Sequence, residues 1–237
     1  MYTCYKKAFT MIELIMVIVV VGILATAIIP RIDRNTLLEG TNQIVSHIRY
    51  AQHLAMMDNK YNPNDSNWFK KRWMIEFTAN AHSINNNDCQ ENCLAYQIYS
   101  DTTVSGNLNS SSEVAKDPNN PNRYLSAGWS GMSNPDKAKR NPNLNIEKKY
   151  GIKEISFSQS CGGGTKNNNR NKSISFDEVG RPMQKVATTS NYDKITYEES
   201  VQRYLKNNCS ITLSDGGDKR AIITIYAETG YVTYRIE

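Results

Sequence analysis

The sequence predicts an α+β chain in which a long N-terminal helix packs against an antiparallel β-sheet head. Three observations carry that expectation. From Met11 to Ile29 the only charged residue is Glu13. Beyond Pro30 an apolar stripe continues at helical spacing as far as Ala55. The rest falls into short runs of alternating apolar and polar residues, separated by Asn-, Gly- and Pro-rich turns, which is the pattern of strands.

The apolar run comes first. Met11–Ile29 holds nineteen residues, about 28 Å of helix at ~1.5 Å per residue, close to the hydrocarbon thickness of a bilayer. A lone carboxylate at mid-depth in such a span costs about 2.5–3.5 kcal/mol. Something should neutralise Glu13, and the sequence places no nearby partner inside the span. A cation brought by a neighbouring copy of the same segment would serve.

Ahead of the run stand Lys6 and Lys7, then the small residue Ala8, then Phe9. A short basic region feeding an apolar core also suits an ordinary secretory signal, cut after Ala25-Thr26-Ala27. Against that reading, Glu13 sits where such a core is purely apolar, and the helical pattern continues past Ala27. A plain single-pass anchor accounts for the length but leaves Glu13 without a purpose.

The stretch Lys6-Lys7-Ala8-Phe9-Thr10-Met11-Ile12-Glu13-Leu14 resembles the class III leader junction of type IV prepilins and type II secretion pseudopilins. The motif joins basic residues, a small residue, Phe, Thr and a Glu fifth from the junction to a long apolar helix. Where the family usually has Gly before the cut, this chain has Ala8. The resemblance implies cleavage between Ala8 and Phe9 by a prepilin peptidase and N-methylation of Phe9. It also implies a pilin-like fold, with Pro30 ending the membrane segment and kinking the helix. Cleavage would create an α-amino cation on Phe9, and Glu13 could pair with that amine on an adjacent subunit. A buried charge is tolerated when paired, so Glu13 reads as an assembly register device rather than a catalytic acid.

Two further stretches, Ile48–Ala55 and Ile174-Ser175-Phe176-Asp177-Glu178-Val179-Gly180-Arg181-Pro182, resemble H-type minor pseudopilins and the related minor pilins of DNA uptake. The implied organisation is a leader at 1–8, a transmembrane helix at 9–30, its amphipathic continuation at 31–58 and a periplasmic head at 59–237. The implied partners are other pilin or pseudopilin subunits, the prepilin peptidase and the inner-membrane assembly platform. The implied location is the bacterial inner membrane, crossed once, with the C-terminal head in the periplasm.

Past Pro30, whose ring opposes a straight helix, Leu37, Ile44, Val45, Ile48, Ala51 and Ala55 form one apolar stripe. Gly40 is a second weak point, and the helix is expected to stop near Asp58-Asn59. Residues 72–77 and 94–99 are expected to pair as antiparallel strands. Residues 154–158 and 173–177 flank a Gly-rich loop. Residues 210–213, 221–226 and 231–234 form a hairpin series turning at Asp215-Gly216-Gly217-Asp218 and Thr229-Gly230. Residues 201–205 suit a short helix. The Asn-, Ser- and Pro-rich stretch 104–145 reads as a polar insertion over the surface.

The chain has 28 Lys plus Arg against 23 Asp plus Glu, a net charge of +5, and loss of Lys6 and Lys7 would lower it by two. That mild excess does not itself argue for nucleic acid. About 180 residues follow the first helix, enough for one domain with a core. Cys4 belongs to the leader. Cys89, Cys93, Cys161 and Cys209 form an even set on the oxidising side, with three possible connectivities. The expected pairing is Cys89–Cys93 as a local loop and Cys161–Cys209 as a clamp worth roughly 3–4 kcal/mol. Zinc is the competing idea, but Cys-x3-Cys lacks a second close pair.

His47, His53 and His82 make no metal constellation, and Gly162-Gly163-Gly164 lacks the Lys-Ser/Thr of a phosphate loop. Asn85-Asn86-Asn87-Asp88 and Asp215-Gly216-Gly217-Asp218 hold too few carboxylates for a recognised calcium loop. No nucleophile or carboxylate constellation points to an enzyme, and no cofactor is expected. Lys70-Lys71-Arg72, Lys137-Lys139-Arg140 and Lys166 with Arg170 and Lys172 are read as solvated loops. The rival reading is a DNA receptor on a competence pilus, with Lys166, Arg170 and Lys172 as the candidate phosphate contacts.

Overall fold

The computed structural model describes residues 9–28, 35–78, 93–162, 172–186, 188 and 193–237. The chain divides into two compact units, Met1–Asn35 and Thr36–Glu237. In the first, helix α1 runs over Met11–Ile28. It has no polar face, and every large apolar side chain from Phe9 to Leu24 is at least 51% exposed. Among the described residues no helix is long and apolar enough to cross a membrane. Ile29 and Pro30, which the sequence reading adds to the span, lie outside the described residues, as does the junction to the next helix.

The second unit opens with α2, Thr36–Met57. Its stripe is buried as the periodicity predicts, from Leu37 through Ile44, Val45, Ile48 and Ala51 to Ala55. Gly40 proves to be a packing site rather than a weakness. A Cβ there would stand 2.8 Å from Ile152 Cδ1 and 2.9 Å from Tyr150 Cγ, so only Gly lets the chain after the middle segment lie this near.

Strands in chain order are β1 (Trp73–Thr78), β2 (Ala95–Ser100), β3 (Lys116–Asp117), β4 (Asn120–Tyr124), β5 (Glu154–Phe157), β6 (Lys172–Phe176), β7 (Pro182–Gln184), β8 (Cys209–Ser214), β9 (Arg220–Ile225) and β10 (Val232–Ile236). They form an antiparallel sheet ordered β2-β1-β6-β7, a second ordered β10-β9-β8-β5, and the hairpin β3-β4. Strands β5 and β6 follow one another in sequence yet enter different sheets. Helix α2 packs against β1 and β6 of the first sheet and β8, β9 and β10 of the second. The sheets meet beside it, where the Phe77 and Phe157 rings stand 5.5 Å apart.

Two expectations need correction. The short helix placed at 201–205 lies earlier, at Tyr197–Val201, because Thr196 and Glu199 cap each other at its start. Residues 203–205 instead run beside β7: Gln184 N donates to Arg203 O and Leu205 N to Pro182 O.

The stretch 104–145 is more than a polar surface excursion. Leu108, Val114, Tyr124, Trp129 and Met132 are buried with Met74 and Tyr99 in a cluster of their own. Its backbone also closes the free edge of β2, through Ile98 N to Leu125 O (2.9 Å), Ser100 N to Glu113 O (3.0 Å) and Ala115 N to Ile98 O (3.0 Å). Dispersed among Asn and Pro, those apolar residues lack any period that would announce a core.

Candidate functional site

At the start of α1, Thr10 and Glu13 form a reciprocal cap. Glu13 Oε2 accepts from Thr10 N (2.9 Å) and Thr10 Oγ1 (3.0 Å), and Glu13 N donates to Thr10 Oγ1 (3.3 Å). Thr10 stands just outside the Met11–Ile29 span and carries no charge, so this cap holds the Glu13 carboxylate without neutralising it. The partner is neutral, supplied three residues earlier, and satisfies amide groups that a helix start leaves open. The signal was legible as Thr-x-x-Glu directly before an apolar run. Phe9 is described and 82% exposed; Ala8, on the other side of the expected cut, lies outside the described residues.

In the second unit, the strand-then-turn segment after β6 is built around one buried acid. Asp177 Oδ1 accepts from Val179 N (3.1 Å) and Arg181 N (2.7 Å), while Oδ2 accepts from Arg181 Nε (2.7 Å) and Tyr204 Oη (2.9 Å). Arg181 thus supports the turn and is drawn over the Tyr204 ring at 4.6 Å. Gly180 has φ +84°, which favours Gly. Gln52 of α2 reaches across to both turns it faces, donating to Gly180 O (2.8 Å) and Thr229 O (3.1 Å). Gly230, at φ +68°, approaches so closely that a Cβ would fall 2.3 Å from Gly180 O. These contacts pin α2 to the Gly-Arg-Pro turn and to the last hairpin.

A second buried network crosses the first sheet. Glu76, 1% exposed, accepts from Gln97 Nε2 (3.0 Å), Tyr99 Oη (3.1 Å), Ser173 Oγ (2.8 Å) and Lys185 Nζ (2.9 Å). Burial pushes its carboxyl up, but the Lys185 ammonium and the surrounding donors outweigh that and hold it below the ordinary range. Sequence reading missed this network, although an acid amid Met74, Ile75 and Phe77 marks the strand as unusual. On the helix side, His47 Nδ1 lies 2.6 Å from Tyr96 Oη, which also accepts from Gln43 Nε2 at 2.8 Å. Burial lowers His47 to about 4, against a smaller opposing pull from Asp117. His53 is exposed, and His82 lies outside the described residues.

Cys161 and Cys209 are joined by a disulfide, with Cα atoms 5.1 Å apart. Cys93 is disulfide-bonded, and Cys89 lies outside the described residues. Lys172 opens β6 and its Nζ donates to Gly162 O at 2.7 Å. Lys166 and Arg170, the other candidate phosphate contacts, lie outside the described residues. Lys70-Lys71-Arg72 is no solvated loop. Lys70 and Arg72 are 6% and 5% exposed, and Lys71 is bridged to Asp65 at 2.6 Å. The Arg72 guanidinium lies 5.1 Å over the Trp68 ring, at the end of the 3₁₀ turn Trp68–Lys71.

Among the described residues no group of three or more His, Cys, Asp or Glu side chains is placed to hold a metal ion. A cleft of about 480 Å³ is lined by Gln184, Lys194, Ile195, Glu199, Gln202 and Arg203. Its two cations, one acid and two amides show no nucleophile beside a base, the arrangement that acyl or phosphoryl chemistry would need.

The family described as "Prokaryotic N-terminal methylation motif" matches residues 4–29. No curated protein and no solved structure matches the chain. The match covers the basic leader, the Ala8–Phe9 junction, the Thr10–Glu13 cap and the apolar helix. Over those residues the chain carries the prepilin leader of type IV pilin-like proteins.

Proposed function

We propose that this chain is a minor pilin-like, or pseudopilin, subunit that assembles into or primes a type II secretion pseudopilus or a type IV pilus. The motif at 4–29 belongs to structural rather than enzymatic proteins, and implies processing by a prepilin peptidase and assembly with other pilin subunits. In our reading the peptidase cuts between Ala8 and Phe9, Phe9 is N-methylated, and the apolar helix is held once across the inner membrane with the head in the periplasm.

One observation carries this reading: α1 exposes apolar side chains on every face and has Glu13 as its lone charge. A helix apolar all round needs lipid or other helices to cover it. A contiguous exposed apolar surface of this kind marks an interaction site, and lateral packing with identical helices would cover it. Thr10 occupies Glu13 Oε2. In a subunit cut after Ala8, Glu13 would meet the Phe9 amine of its neighbour, and the pair would fix the register of one helix against the next.

The test is Glu13→Ala in the native assembly system. The variant should still be exported and should still form the Cys161–Cys209 bond, yet be absent from sheared filaments. Mass spectrometry of the native product should show a methylated chain starting at Phe9. Normal incorporation of the variant would overturn the pairing. An uncut start, or scission at Ala27, would overturn the whole reading.

A further inference from the structure

The positive charge of this chain is concentrated. From Lys116 to Lys153 there are eight Lys or Arg against three Asp or Glu, a net of +5 that equals the charge of the entire sequence. The other residues therefore balance. Of the three acids, Asp117 is buried and accepts from Asn141 Nδ2 at 2.8 Å. Glu147 accepts from Leu94 N at 2.9 Å, and Asp136 from Tyr124 Oη at 2.7 Å.

Five of the cations gather on the β3–β4 hairpin, on the end of the short helix α3, Asn134–Lys137, and on the turn after it. Lys116 Nζ lies 3.8 Å from the centroid of the Tyr124 ring, and Lys139 Nζ lies 5.9 Å from the same ring. Arg123 Nη1 donates to Arg140 O (3.1 Å), and Arg140 Nε to Lys137 O (3.2 Å). These contacts fasten four cationic side chains to one small surface, and Lys137 Nζ is held beside them by Asn134 Oδ1 at 2.9 Å. Burial, then the neighbouring Lys139 ammonium, push Lys116 below the usual lysine range, against a smaller opposing pull from Asp136. Such a repulsion is relieved when an anion settles between the two charges.

The kind of anion follows from what else is exposed. Tyr124, Trp129 and Met132 are turned inward. The surface thus lacks the apolar centre of a protein–protein interface and the rings on which single-stranded bases stack. The same segments carry the exposed amides of Asn119, Asn120, Asn122 and Asn134, of which the Asn120 oxygen accepts from Asn122 N (3.2 Å) and the Asn134 oxygen from Lys137 Nζ (2.9 Å). An amide both donates and accepts, so it suits hydroxyl groups, whereas a phosphate backbone offers acceptors alone and leaves amide oxygens idle.

We propose that this surface binds an acidic polysaccharide, its carboxylates on Lys116, Lys139, Arg123 and Arg140 and its hydroxyls on the surrounding asparagines. The inference concerns the head alone and does not rest on the assembly reading.

The test presents the full chain, in detergent micelles, to immobilised polygalacturonate, with neutral dextran and duplex DNA as comparisons. Retention by polygalacturonate is expected at low ionic strength. It should vanish near 1 M salt, where charges are screened beyond roughly 3 Å. Dextran should not retain the protein. The double variant Lys116→Gln/Lys139→Gln should bind about tenfold more weakly, the worth of two exposed ionic contacts. Lys206→Gln/Lys219→Gln, which removes equal charge elsewhere, should change retention little. The surface is refuted by absence of retention on polygalacturonate, or by equal losses in the two double variants. Preferential displacement by duplex DNA at equal charge would reassign it to nucleic acid. Because all four lysines are outside the apolar core, circular dichroism of each variant checks that folding is retained.

Discussion

His47 and Glu76 set how the head should answer to acid. His47 is held to about 4 by burial beside Tyr96, well below the ~6.5 of an exposed histidine. Between those pH values the unfolded chain takes up a proton that the folded chain refuses. Stability is complete above about 6.5 and falls as the pH drops toward 4, by about 3 kcal/mol at the full extent. Glu76 acts in the same direction at lower pH, since its folded carboxyl lies below the ordinary range and loses its stabilising charge only in stronger acid. Urea denaturation from pH 8 to pH 4 should therefore show a decline starting near 6.5. His47→Gln should flatten the upper part of that decline and leave the lower part. A flat wild-type profile down to pH 5 would contradict the burial argument. Gly230→Ala is a second residue-scale test. It places a methyl against Gly180 O at a positive φ, and overpacking together with backbone strain should cost about 2–4 kcal/mol, seen as a lower thermal midpoint. At this scale the sequence was partly legible. Thr10 and Glu13 stand at capping-box spacing, but a capping partner and an intersubunit partner leave the same mark on a sequence. The partners of Glu76 come from three other strands or their ends, and no local pattern brings Gln97, Ser173 and Lys185 together.

Among the elements, alternation located most strands within a residue or two. The pair at 72–77 and 94–99 formed as β1 and β2, and the last three strands formed their hairpins. Alternation tells which side chains share a face, not which strand lies alongside. Consequently β5 and β6 gave no sign that a sheet boundary falls between them. The disulfide lies close to that boundary: Cys161 follows β5 and Cys209 opens β8, with 48 residues of sequence separation between them. The bond joins two neighbouring strands of the second sheet and closes the loop that carries β6 and β7, which shortens the unfolded chain's reach. Cys161→Ser/Cys209→Ser should lower stability by roughly 3–4 kcal/mol on the chain-entropy account. The double variant keeps the Cys93 bond, so in non-reducing buffer its denaturation midpoint should lie at or above that of fully reduced wild type. A midpoint unchanged by the substitution would mean that the β5–β8 ladder alone holds this corner.

For the molecule as a whole, the stretch 104–145 decides what kind of head this is. Its composition predicts a polar insertion over the surface; its structure gives it a buried cluster and the outer edge of β2. The two descriptions differ in what deletion does. An added surface loop can be cut out at small cost, because closing a loop depends only weakly on its length. Removing 104–145 from this chain would instead uncover Met74 and Tyr99 and leave the backbone groups of Ile98 and Ser100 unpaired along a strand edge. An open edge beside exposed apolar surface recruits other chains. Replacing these residues with a short Gly-Ser linker should therefore give a head that aggregates or is degraded. Separately, Leu125→Ala should cost about 2–5 kcal/mol, since Leu125 is wholly buried in the main core and carries the backbone carbonyl that receives Ile98 N. Size-exclusion chromatography of the deletion variant and denaturation of Leu125→Ala read the two effects independently. A monomeric deletion variant with unchanged thermal stability would return the stretch to the status of an ornament on a complete domain. Aggregation of the deletion together with a large loss in Leu125→Ala would make it a third part of the core, joined to the sheets by an edge that composition alone does not reveal.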